Sequence, residues 1–104
     1  MIPGWGYGAA VYVVGLEVSI RIPDAHSLKD RRQVVRALLD GARHRFSVSA
    51  AEVGGQDTWQ LATLGFAVVA SEAHLAEELV DAIDRFIWSH PNIEILDTNM
   101  RWLD

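Results

Sequence analysis

Lys29, Arg32, Arg36 and Arg43 are spaced so that, at about 100° per residue, four cations gather within about 60° of one another on a helix. Such a row can contact successive phosphates of a nucleic acid, each contact adding affinity that salt weakens. A second group, Gln56, Asp57, Trp59 and Gln60, offers amide and carboxylate atoms for base edges and an indole for stacking, as single-stranded RNA recognition requires. Each group also has an ordinary reading. A charged stripe is how a solvated helix face looks, and Asp57 in a glycine-bounded turn can occupy loop amides while Trp59 packs in an interface. Arg31 differs from its neighbours because helical spacing turns it toward the apolar side. There it must snorkel out or meet a carboxylate, and a structural ion pair with Glu52 or Glu17 is the leading account.

Catalytic chemistry has less to work with. The histidines at 26, 44, 74 and 90 share no i, i+3 or i, i+4 spacing, so a zinc site would have to be assembled across elements. His26 and His90 could titrate near neutrality as a pair, although solvated or capping roles are the common fate of lone surface histidines. With no cysteine, disulfides, thiolate ligands and thiol nucleophiles are excluded. Pro23-Asp24-Ala25-His26 contains no glycine, which removes a phosphate-cradling loop at that turn. No catalytic residue, metal or cofactor is assigned. The leading reading is a non-enzymatic binding protein. The alternative is a homo-oligomeric module that holds a small anionic ligand, or has an unrecognised enzymatic activity, around Arg31, Asp57, Trp59 and His90.

These side chains need elements to position them. Val11 to Ile22 alternates with period two, placing Tyr12, Val14, Leu16, Val18, Ile20 and Ile22 on a core face of a strand. Pro23 and Asp24 end it. Ser27 then caps a helix, with Asp30 completing a carboxylate variant of the capping box and Leu28, Val35, Leu38, Leu39 and Ala42 as its core stripe. Gly41 weakens the helix end, and Phe46 with Val48 opens a second strand running to Val53. Gly54 to Thr58 is a hairpin loop leading to a third strand, Trp59 to Ala70. Ser71 is expected to cap a second helix with core stripe Leu75, Leu79, Ala82, Ile83 and Phe86, leaving Trp88 on the polar side. Ile93 to Trp102 makes the last strand. Residues 1–8 form a Gly-rich flexible tail and 9–104 a single domain.

The order strand, helix, strand, strand, helix, strand is that of an α+β ferredoxin-like sandwich, a four-stranded antiparallel sheet with two helices on one face. That topology brings His26, Lys29, Arg31, Arg32, Gln56, Asp57, Trp59, Gln60 and His90 to one edge. It also leaves one sheet face uncovered, carrying Val11, Val13, Leu61, Gly65 and Ala67, so a homodimer or higher homo-oligomer is expected there. Trp59, Trp88 and Trp102 are candidate interface anchors. The face lacks the aromatic strand motif of RNA-recognition domains, which argues against RNA stacking on the sheet.

Arg21-Ile22-Pro23, His26 through Arg32, Val34-Val35, Ala51 through Gly54 and Gln56 through Gln60 resemble the YlxP-like bacterial family of unknown function, over roughly residues 11–102. The resemblance implies a ferredoxin-like protein often encoded beside translation and ribosome-maturation factors, and hence ribosomal RNA or a translation-related protein as partner. Composition bounds the setting. The net charge is −5, but residues 1–52 hold seven Lys/Arg against five Asp/Glu whereas residues 53–104 hold two against nine, so the halves present opposite fields. Neither a signal peptide nor a membrane span is expected, and the cytoplasm is the expected location.

Overall fold

The alternation that begins at Tyr12 produces β1 (Tyr12–Arg21), whose Val14, Leu16, Val18 and Ile20 are fully enclosed. Five further apolar or amphipathic runs complete the computed structural model, which describes residues 10–55 and 58–103. They are α1 (Leu28–Phe46), β2 (Ser49–Gly54), β3 (Leu61–Ala70) and α2 (Ala73–Trp88), followed by β4 (Glu94–Trp102). The expected tail 1–8, with Gln56 and Asp57, lies outside the described residues.

The strands form one antiparallel sheet in the order β2-β3-β1-β4, so the fold is the expected ferredoxin-like α+β sandwich. Val14, Leu16, Val18 and Ile20 lie opposite Val68, Phe66, Leu64 and Ala62, and this one face of the sheet receives both helices. Val35, Leu38 and Ala42 of α1 and Ala76, Val80, Ile83 and Ile87 of α2 close the core over it. Burying each of the Val, Leu and Ile side chains contributes about 1.5–3 kcal/mol before chain entropy is counted.

Ser27 caps α1 as expected, its hydroxyl accepting from the Asp30 amide at 3.1 Å. The reciprocal bond falls one residue further out, with the Asp30 carboxylate accepting from the His26 amide at 3.0 Å. Four expectations need correction. Leu28 is 44% exposed, and in the first turn of α1 Arg31, bonded to Leu61, Glu52 and Gly55, takes the buried position instead. The helix continues through Phe46 and stops at Ser47, which adopts a left-handed conformation (φ 52°), so the second strand starts at Ser49. Phe46 is held in the helix by edge-to-face packing on Phe86, 5.9 Å between ring centres.

The other two corrections concern α2. Its N-cap is Glu72 rather than Ser71 and makes no side-chain capping bond. Its deepest stripe runs through Ala76, Val80, Ile83 and Ile87, while Leu79, Ala82 and Phe86 are half-buried and Leu75 is exposed. Apolar residues surround much of this helix, and the sheet selects the phase that places small Ala76 and branched Val80, Ile83 and Ile87 against the strands.

Candidate functional site

The edge where β1 ends and α1 begins is built by backbone pairing. The Ile22 amide donates to the Gln60 carbonyl at 2.7 Å, and the Gln60 side-chain amide donates to the Pro23 carbonyl at 3.3 Å. These bonds lock the 22–27 turn beside the start of β3. Arg31 fastens the other side. Its Nε donates to the Leu61 carbonyl at 2.9 Å, and one terminal nitrogen donates to the Gly55 carbonyl at 2.9 Å and to the Glu52 carboxylate. One guanidinium thereby joins the first turn of α1 to both strands of the hairpin, and satisfying several of its donors makes its burial tolerable. The expected Arg31–Glu52 ion pair is present. With its side chain only 4% exposed, Arg31 is engaged in holding the hairpin against α1.

Lys29, Arg32 and Arg36 lie exposed along α1, outside this network. Among the described residues none of the three has a carboxylate in ion-pair range, whereas Arg21 pairs with Glu94 at 2.8 Å and Arg43 with Asp40 at 2.9 Å. Arg43, expected in the basic row, also donates to the Ala50 carbonyl and so ties the end of α1 to β2. The i, i+3 spacing of Asp40 and Arg43 was a readable signal for that pairing. Trp59 is 52% exposed in the hairpin connection, at the same end of the molecule as Lys29 and Arg32. Gln60 is engaged with Pro23, and Gln56 and Asp57 lie outside the described residues.

His90 belongs to the end of α2. Its Nδ1 is 3.0 Å from the Phe86 carbonyl, and its ring packs edge-on to Phe86, 4.9 Å between centres. His26 is exposed in the turn before α1, and no bond joins the two histidines among the described residues. Nor, among the described residues, do three His, Asp or Glu side chains gather closely enough to hold a metal ion.

The helix-free face displays Val13, Gly15, Glu17 and Ser19 of β1 beside Val69, Ala67, Gly65 and Thr63 of β3. Leu61, Gly65 and Ala67 therefore lie where the alternation puts them. Val11 precedes β1. Trp102 pairs across from Val14 on the helix side, edge-to-face with Tyr12 at 6.4 Å, and Trp88 ends α2, so neither lies on the open face. Sequence reasoning missed Leu103, whose amide donates to the Val13 carbonyl at 2.9 Å and whose side chain covers Gly15.

Known proteins resemble this chain as follows. It is 40% identical over 81 residues to the uncharacterized protein YlxP of Bacillus subtilis (strain 168), a match covering 78% of this chain and 88% of that protein. A de novo designed protein, Foldit4, is similar at 22% identity and a TM-score of 0.48, covering 86% of this chain and 96% of the designed one. No helix among the described residues is long and apolar enough to cross a membrane. Residues 13–100 match the family described as protein of unknown function (DUF503), and the chain belongs to that family.

Proposed function

We propose that the protein is a cytoplasmic, non-enzymatic binding protein that attaches to RNA in translation or ribosome maturation through the exposed basic face of α1. One observation carries this reading: Lys29, Arg32 and Arg36 are exposed without a carboxylate in range among the described residues, while Arg21, Arg31 and Arg43 are each matched to one. Unmatched cations in a row can exchange their counterions for phosphates, and Trp59 at the same end offers a surface for one unpaired base. The gene neighbourhood implied by the family resemblance points the same way. A net charge of −5 disfavours indiscriminate nucleic-acid binding and confines the contact to this stripe. A small anion at the same edge has less support, because the Arg31 guanidinium is already occupied by Glu52 and two carbonyls.

The test is binding to ribosomal RNA fragments from about 50 to 300 mM salt. Three phosphate contacts to a single strand give a slope of log affinity on log salt near −2, and Arg32→Ala/Arg36→Ala reduces it by roughly two-thirds. Binding that is absent, or unmoved by that variant, refutes the reading.

A further inference from the structure

The open face of the sheet is an apolar surface crossed by a groove of about 360 Å³. Small residues floor it: Gly15, Ala51, Gly65 and Ala67. Its rims are Val53 on the β2 bulge and Leu103 folded back from the end of β4, each 55% exposed. Two absent side chains allow those rims to lean inward. A Cβ on Gly65 would lie 2.8 Å from a Val53 methyl, and one on Gly15 would lie 3.1 Å from a Leu103 methyl. Leu61 and Val69, both exposed, extend the apolar field along β3. Contiguous exposed apolar surface of this kind marks an interaction site.

We propose that this face is the interface with a second copy of this chain, related by a two-fold axis that sets Glu17 of each protomer against the partner's Arg101. Charge chooses the occupant. Glu17 and Arg101 both line the groove, one pairing step apart, since Glu17 lies opposite Asn99 and Arg101 lies opposite Gly15. Both are exposed, and among the described residues neither has an ionic partner. Within the groove Glu17 is the acid and Arg101 the base, beside the neutral Ser49 and Asn99, and such a pair is complementary to its own image across a two-fold axis.

Area agrees. Four strands about 4.8 Å apart and roughly nine residues long span about 500–600 Å² of sheet per protomer, and side-chain relief brings this toward the ~800 Å² per partner of a stable interface. A nucleic acid fits poorly, because the groove offers a single cation and its one aromatic lining residue, Phe66, is buried in the core. The proposal is independent of the RNA reading, which uses α1 on the other side of the sheet.

Sedimentation equilibrium of the full chain from about 1 to 200 µM tests it, since oligomer stability depends on protomer concentration. The expected species is twice 11.5 kDa. Glu17→Arg and Arg101→Glu each bring like charges together and raise the dimer dissociation constant at least ~10-fold. The double variant Glu17→Arg/Arg101→Glu restores it to within ~3-fold, and an equal mixture of the single variants forms a heterodimer. Far-ultraviolet circular dichroism confirms that every variant is folded. An 11.5 kDa wild type across the range overturns the proposal. So does a dimer indifferent to both reversals, or one that the double variant fails to restore.

Discussion

Arg31 of α1 and Glu52 of β2 form an ion pair at the seam between helix and sheet, with Arg31 only 3% exposed. The pair sits on the helix side of an edge strand, because Glu52 lies opposite Leu64, a core residue of β3. Arg31 also serves the carbonyls of Gly55 and Leu61, so removing it leaves a carboxylate and two backbone acceptors without their donor.

Arg31→Met is accordingly expected to destabilise the fold by about 3 kcal/mol, the lower part of the range for breaking a buried pair, since Glu52 keeps some solvent. Glu52→Gln costs less, about 1–2 kcal/mol, because a neutral oxygen still accepts. Urea denaturation of the two single variants and the double variant measures the coupling. Strict additivity would show that the two side chains do not interact.

Gly41→Ala tests which of two opposed effects prevails. In an exposed helix interior the change stabilises by about 0.8–1 kcal/mol. Here the new Cβ would stand 2.6 Å from the Phe86 ring, and that ring is hemmed in by Phe46, His90 and the Arg45 guanidinium 5.2 Å from its centre. Overpacking of a held ring costs about 1–3 kcal/mol, so net destabilisation is expected, with partial recovery in Gly41→Ala/Phe86→Leu. Thermal melts decide it. A higher midpoint for Gly41→Ala would mean that the ring yields freely.

The cap of α1 gives a cleaner measurement. Ser27→Ala removes the acceptor for the Asp30 amide and is expected to cost about 1 kcal/mol, whereas Ser27→Asp preserves stability to within a few tenths. Equal losses in chemical denaturation would assign the effect to something other than capping.

Salt dependence separates the arginines by role. Arg32→Ala or Arg36→Ala is expected to lower the RNA salt slope by about 0.7 each while shifting stability by less than about 0.5 kcal/mol. Arg43→Ala, which breaks contacts to Asp40 and Ala50, is expected to do the reverse. Filter binding and denaturation on the same samples check both halves.

Much of the fold was legible because bulky apolar residues alternate with small or polar ones from Val14 to Arg21 and from Thr63 to Val68, a pattern that one register satisfies. The phase of α2 was not, because Leu75, Ala76, Leu79, Val80, Ile83, Phe86 and Ile87 permit more than one apolar stripe, and only the sheet beneath chooses. The end of α1 was hidden by Ser47, which reaches a left-handed conformation without the glycine that usually announces it. Arg31 was legible as a cation on an apolar side facing a carboxylate. The groove was not, since it depends on Val53 at a bulge and on Leu103 folding over Gly15, which no local pattern encodes.

The strand order has a consequence for how the chain acquires its shape. β1 precedes the other described strands and lies in the interior of the sheet, and both of its neighbours come later in the chain, Val14 meeting Val68 and also Trp102, 88 residues beyond it (102 less 14). The β2–β3 hairpin closes locally, but its partner strand has to be recruited across α1 and the last strand across nearly the whole chain. Such distant pairings close slowly, because loop entropy is lost before the contacts reward it. During synthesis β1 therefore lacks the pairing of β4 until residue 102 is available, and its second edge stays open for that interval.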